Sequence, residues 1–264
     1  MKLEGMDVGE LGIWTSQFEF QPAATLRKAA ADLEKLGFGA IWFPESVGRE
    51  AFTHAALILG ATKRIVVATG IANIYARDPV TAATAQKSLA EAYPGRFLLG
   101  LGVSHIPLVE QVRGHTYGKP VAAMRTYLDR MDQAPYRAVM PSVKPARVLA
   151  ALGPRMLQLA AERADGAHSY FVTPEHTAEA RKILGDERFL AVEQAVVLEK
   201  DAGRAREIAR AHSSFYLRLP NYVNNLRRLG FSDDDFRDGG SDRLVDAIVA
   251  WDDRRGNRGS CARS

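Results

Sequence analysis

The chain has 264 residues, 47% hydrophobic and 25% charged, the composition of a globular protein with room for one large domain or two average ones. Its net charge of +4 arises from 35 basic and 31 acidic residues with no run of five or six of one sign, which argues against a nucleic-acid or membrane-binding surface. A single cysteine, Cys261, excludes a disulfide framework or a cysteine metal cage. With no signal-like apolar stretch at the start, the expected location is cytoplasmic.

Short apolar runs alternate with amphipathic stretches. Leu11–Trp14 reads as a first strand, and Pro22 opens a helix whose Leu26, Ala29, Ala30, Leu33 and Leu36 keep the 3.6 period up to Gly37. Ala40–Phe43 is the second strand, followed by a helix over about 49–61. Ile65–Thr69, with its β-branched run, is the third. Asp78-Pro79 starts the next helix as cap and first-turn proline, and Gly95 follows its end. Phe97–Gly102 is the fourth strand, and the next helix carries Val121, Met124, Leu128 and Met131 on one stripe. Arg147–Ala151, Gly166–Tyr170 and Phe189–Leu198 read as the fifth, sixth and seventh strands, with helices opening at Gly153-Pro154, Thr173-Pro174 and Asp201. Arg218–Gly240 reads as a polar, irregular segment, either a lid or a plain surface loop. Leu244, Val245, Ile248 and Val249 mark a last helix.

Strand-helix repetition implies a parallel sheet with right-handed crossovers. Seven units at roughly 30-residue spacing favour a (β/α)8 barrel over an open doubly wound sheet, and a barrel places its chemistry where strands end. The strand ends offer hydroxyls, amides, glycines, His105 and His168, but only one acid, Glu45. Paired carboxylates for glycoside hydrolysis, metal-ligand clusters, a nucleophile elbow and a Schiff-base lysine are all missing from this set. Such a mouth suits a bound organic cofactor that performs the difficult step. Gly153-Pro154-Arg155 could bring helix N–H groups, dipole and guanidinium to a phosphate, or be an ordinary Gly-Pro turn. His105 and His168 could be proton donors or merely satisfied polar groups.

Five segments carry a resemblance: Leu36–Glu45, Thr69–Asn73, Pro94–Ser104, Ala151–Met156 and Ala164–His168. In this order at these strand ends, the sequence resembles the bacterial luciferase-like superfamily of (β/α)8 flavin and deazaflavin oxidoreductases, most closely its coenzyme F-420-dependent members. The resemblance covers about residues 12–251. It implies a non-proline cis peptide at Gly70-Ile71, backing the central ring of the cofactor. It also implies ring contacts from Gly70, Ile71, Ala72, Asn73, Gly102, Val103 and Ser104. Gly153, Pro154 and Arg155, with His168, Ser169 and Tyr170, would hold the tail phosphate. Glu45 and His105 stand where relatives place an acid-base group. The implied activity is hydride transfer between F-420 and a small-molecule substrate, in a protein whose relatives are often homodimers, with no metal, membrane or nucleic acid involved. The alternatives are an FMN-dependent monooxygenase, a non-catalytic flavin-binding barrel, or a phosphate-binding barrel with isomerase or aldolase chemistry.

Residues 252–264, with four Arg, two Asp and the cysteine, show neither strand nor helix period and depart from that pattern. The expectation is one domain over 1–251, lacking the last β/α unit of its barrel, then a disordered tail. The edge so exposed predicts reduced stability or aggregation.

Overall fold

The computed structural model describes residues 3–251. In chain order the elements are β1 (Gly12–Trp14), α1 (Ala23–Lys35), β2 (Ala40–Phe43), α2 (Ala51–Leu59), β3 (Val66–Thr69), β4 (Ala72–Asn73), α3 (Pro79–Ala92), β5 (Phe97–Gly102), α4 (Pro120–Asp132), β6 (Ala146–Ala150), α5 (Pro154–Arg163), β7 (Gly166–Ser169), α6 (Pro174–Leu184), β8 (Phe189–Val192), β9 (Ala195–Val197), α7 (Ala202–Tyr216), α8 (Pro220–Arg228), α9 (Asp242–Ile248) and β10 (Val249–Trp251). Seven parallel strands form a curled sheet in the order β1-β2-β3-β5-β6-β7-β8, and the short β4 pairs with β5 just beyond the end of β3. Right-handed crossovers put the helices on its convex face. Among the described residues no strand joins β1 to β8, so the sheet is a half-barrel.

Strand alternation sorts the side chains into two cores. Ala40, Trp42, Val66, Ala68, Leu98, Ala146 and Val148 face inward, with Leu3, Met6 and Val8 of the N-terminal segment packed on them. Ile41, Phe43, Val67, Leu99, Leu101, Leu149 and Ala167 face outward against helix residues such as Leu26, Ile58, Leu59, Leu128 and Leu157. Each fully buried Leu, Ile or Phe contributes roughly 2 kcal/mol. The helix starts follow the sequence signals. The Asp78 side chain accepts from the backbone N–H of Val80 and Thr81, and Thr173 and Asp201 cap α6 and α7 in the same way.

Three expectations are corrected. The apolar run 189–198 is two strands, since after Val192 the chain leaves β7 and Ala195–Val197 pairs with β10 instead. Val249, assigned to the last helix, opens that strand β10, parallel to β9. The segment 218–240 is not irregular: it holds α8, which begins at Pro220 and buries Tyr222, Asn225 and Leu226. Tyr222 and Leu226 join Phe171, Leu219, Phe231, Leu244, Val245, Ile248 and Val249 in a third, separate core. The predicted disordered tail at 252–264 and Cys261 lie outside the described residues.

Candidate functional site

The C-terminal strand ends converge on a mouth built around Gly70. Inward positions continue the alternation from below: Trp42 and His168 form one layer, with rings stacked at 4.7 Å. Trp14, Gly70 and Tyr170 form the next. The Trp14 indole Nε1 donates to the Gly70 carbonyl at 3.1 Å, and its ring lies 4.8 Å from that of Tyr170. The Gly70–Ile71 peptide is cis, as the resemblance implies. Glycine is required at 70 on space alone, because a Cβ there would sit 2.7 Å from Trp14 Nε1 and 3.1 Å from His168 Nε2.

His168 is buried, and its Nδ1 is 3.2 Å from the Ala191 carbonyl. A carbonyl only accepts, so Nδ1 carries the proton and Nε2 presents a lone pair. That lone pair, next to Gly70, is buried with no partner among the described residues. Burial pushes the His168 pKa down to about 4, so the ring is neutral.

The other expected residues divide by orientation. Ala72, Asn73 and Ser169 are fully buried: Ala72 belongs to the outer core, Asn73 Oδ1 accepts from the Tyr75 backbone N–H at 2.9 Å, and the Ser169 hydroxyl donates to the Ala151 carbonyl at 3.1 Å. They shape the mouth from behind and offer it no surface. Val103 packs on the outer core. Ser104 adopts φ +59°, a left-handed conformation rare outside glycine and asparagine-like residues, and turns the chain out of the sheet. Gly102 is held small by Ile71, whose Cγ1 would lie 2.5 Å from its Cβ. Tyr170 shares a hydrogen bond with Tyr216 of α7, Oη to Oη at 2.5 Å. His168 and Tyr170 therefore belong to the mouth's aromatic wall.

At that N-terminus, Gly153 is extended (φ −89°, ψ 156°) and provides no side-chain cap. A Cβ on it would meet nothing within 4 Å, so neither backbone nor packing demands glycine there. Arg155 is exposed. Pro154 has no N–H and the Met156 N–H donates to the Gly153 carbonyl at 3.1 Å, so the turn offers an anion the backbone N–H and the guanidinium of Arg155.

Glu45 and His105 differ sharply. Glu45 is buried; Oε1 accepts from the Ala51 N–H at 3.1 Å and from Arg77, and Oε2 accepts from the Asn73 N–H at 2.8 Å. Arg77 also pairs with Glu50 at 2.9 Å. This network welds the end of β2 to β4 and α2. A cavity of about 490 Å³ beside it is lined by Glu45, Arg49, Arg77, Arg113 and His115, and Gly70 is not among its lining residues. His105 Nδ1 is 3.2 Å from Asn221 Oδ1 on α8, its ring 5.7 Å from that of Tyr222, and burial lowers its pKa. Its Nε2 has no partner among the described residues.

One carboxylate at the mouth escapes the sequence reading. Running the seventh strand through to Leu198 puts Glu193 in mid-strand, whereas β8 ends at Val192 and Glu193 is a strand-end residue. The signal was present in the alternation Phe189, Ala191, Glu193, whose first two members face the inner core. Among the described residues no group of acidic, histidine or cysteine side chains could hold a metal ion, and no helix is long and apolar enough to cross a membrane.

Comparison with known proteins agrees with this geometry. A protein of Mycobacterium tuberculosis described as a coenzyme F-420-dependent oxidoreductase is 30% identical over 201 residues, covering 64% of this chain and 57% of that protein. The chain thus spans little more than half the length of that relative. The 5,10-methylenetetrahydromethanopterin reductase of Archaeoglobus fulgidus is 27% identical over 229 residues, covering 76% and 68%. Among solved structures, an F-420-dependent secondary alcohol dehydrogenase superposes with a TM-score of 0.71 at 14% identity, over 94% of this chain and 86% of that one; at that identity the likeness speaks to fold alone. The family model for luciferase-like monooxygenases matches residues 1–242, and the chain belongs to that family.

Proposed function

We propose that this protein is an F-420-dependent oxidoreductase that moves a hydride between the deazaflavin and a small organic substrate. The observation that carries the reading is that the two curated relatives, from a bacterium and an archaeon, are an F-420-dependent oxidoreductase and a methylenetetrahydromethanopterin reductase by description, and the mouth fits a flat ring with a phosphorylated tail. The fit rests on two features of the chain itself: the unpaired His168 Nε2 beneath side-chain-free Gly70, and the uncapped, uncrowded start of α5 beside Arg155. Bound there, a deazaflavin supplies a ring carbon that accepts or gives up a hydride.

In this reading Gly70, Ile71 and Gly102 back the ring, with Trp14 and Tyr170 as its aromatic wall. Val103 and Ser104 set the turn at its edge, Ala72, Asn73 and Ser169 hold these segments in register, and His168 offers an acceptor from below. Gly153, Pro154 and Arg155 take the tail phosphate through the backbone N–H and the guanidinium of Arg155. Glu45, with both carboxylate oxygens bonded, positions the loop that carries this constellation, while His105 keeps Nε2 for a proton. We read residues 1–251 as one barrel domain, with β8 and β9 as an interrupted seventh barrel strand and β10 as the opening of the eighth.

Titrating the purified chain with F-420 and, separately, with FMN tests the reading by fluorescence. Saturable quenching of F-420 at lower concentrations than FMN is expected. Saturable FMN binding without F-420 binding would transfer the assignment to an FMN-dependent monooxygenase. F-420 binding without hydride transfer to any acceptor would leave a non-catalytic barrel.

A further inference from the structure

Glu193 stands one inward step above Ala191 on β8, where the β7–β8 register, His168 with Ala191 and Ser169 with Val192, brings it opposite Tyr170. Its backbone N–H donates to the Ser169 carbonyl at 2.9 Å, which fixes the residue at the strand end. Of its carboxylate, Oε2 accepts one long bond, 3.4 Å, from the backbone N–H of Phe171, a residue held at φ +55°. Among the described residues Oε1 has no partner and the group has no ion pair. The titratable groups around it are hydroxyls: Tyr170 from β7's end, Tyr216 from α7 and Tyr222 from α8, each of which feels the carboxylate. Burial without a compensating cation pushes Glu193 up to about 7. The contrast with Glu45 decides the matter, since Glu45 has two backbone N–H donors and an arginine, whereas Glu193 has one weak donor and an open oxygen.

We propose that Glu193 exchanges the substrate proton at this mouth and that the substrate is a neutral alcohol or its carbonyl counterpart; the assignment rests on the hydride-transfer reading above. A carbinol cannot release hydride unless its O–H proton is removed as the carbonyl forms. No lysine or arginine is placed to stabilise an alkoxide beside Glu193, so the open Oε1 takes that proton. The O–H bond breaks and its electron pair completes the C=O bond. The C–H pair departs as hydride to the oxidised deazaflavin, and the balancing proton of the reduced ring comes from solvent. In reverse, protonated Glu193 donates to the carbonyl oxygen as hydride arrives on its carbon. An anionic substrate would meet an uncompensated carboxylate here, which is why the class is neutral.

The test uses the full chain with F-420 and a series of propan-2-ol, butan-2-ol and cyclohexanol. Glu193→Gln is expected to bind F-420 as wild type does, to lose about 100-fold or more in kcat, and to lose the acidic limb of the wild-type pH profile, with Glu193→Asp restoring part of both. Infrared difference spectra of wild type against Glu193→Gln, taken without cofactor, are expected to show a carboxyl band titrating close to pH 7. Wild-type rate and pH profile in Glu193→Gln, or a Glu193 carboxyl that titrates as an ordinary glutamate, would overturn the role. F-420 binding by wild type without reduction by any of the alcohols would overturn the substrate class. Failure of wild type to quench F-420 at all brings down the deazaflavin reading itself, and is seen before any variant is made.

Discussion

The two ends of the sheet are built on opposite rules. At the N-terminal ends of the strands polar groups are saturated. Glu34 Oε1 accepts from three successive backbone N–H groups, of Lys63, Arg64 and Ile65, at 2.9, 2.6 and 2.9 Å. Arg96 donates to the carbonyls of Leu59, Thr62 and Ile65 and to the Thr62 hydroxyl. Arg147 and Arg163 share Asp132. At the C-terminal ends, His168 Nε2, Asn73 Nδ2 and Arg113 Nε are buried without partners among the described residues, Arg155 has no partner among them, and Ser104 and Phe171 adopt left-handed backbone conformations. Burying unpaired polar atoms costs stability, so a chain that satisfies one face and neglects the other has separated its scaffold from its chemistry.

The largest effect expected from breaking this division is at the saturated end. Arg96→Ala strands three carbonyls where the turn before β3 meets β5, and should cost about 3 kcal/mol, read as a lower urea midpoint. F-420 affinity per folded molecule should stay the same, since the mouth is untouched. Equal losses of stability and affinity would mean that the two ends are not separable.

A smaller effect comes with pH. His54 is fully buried on α2 against Phe43, 4.2 Å between ring centres, with neither nitrogen paired, and burial holds it at about 4; His168 is held equally low. Both pKa values are depressed on folding, so the unfolded chain binds more protons once the pH drops below the ordinary value near 6.5. Stability is therefore full above that value and is lost progressively down to about 4, at about 2 kcal/mol per histidine by pH 5. His54→Leu should remove one histidine's share of the slope while leaving the mouth intact. An unchanged slope would show that His54 is hydrated or paired in solution.

How much of this was legible in the sequence depended on whether a signal was local. The caps at Asp78 and Thr173 and the strands Ala40–Phe43 and Phe97–Gly102 follow from local propensity and period, and the structure has them where the residues place them. The split at Val192 is not local. The alternation continues through Glu193, while the hydrogen-bond partner changes from β7 to β10, and only tertiary pairing records that change. That is also why Glu193 stayed hidden. α8 was masked by Asn221, Asn224, Asn225, Arg227 and Arg228, with Tyr222 and Leu226 too few to mark a stripe. At the mouth, the cis Gly70-Ile71 bond was readable through family resemblance, whereas the orphaned lone pair of His168 depends on which carbonyl Nδ1 finds.

The smallest change in stability, and the sharpest separation of the two faces, is expected at Arg155. Exposed and without a partner among the described residues, it contributes little to the fold, so Arg155→Ala should leave the urea midpoint within about 0.5 kcal/mol of wild type. If the guanidinium holds the tail phosphate together with the Arg155 backbone N–H, its loss removes a charge-assisted contact worth about 1.4 kcal/mol, or about tenfold in F-420 affinity. The residual affinity should also depend less steeply on salt, because one cation has left the site. Arg155→Lys keeps the charge without the bidentate geometry and should fall between the two. Unchanged F-420 affinity in Arg155→Ala would mean that the phosphate is seated elsewhere, and Gly153-Pro154-Arg155 would then be no more than the first turn of a helix.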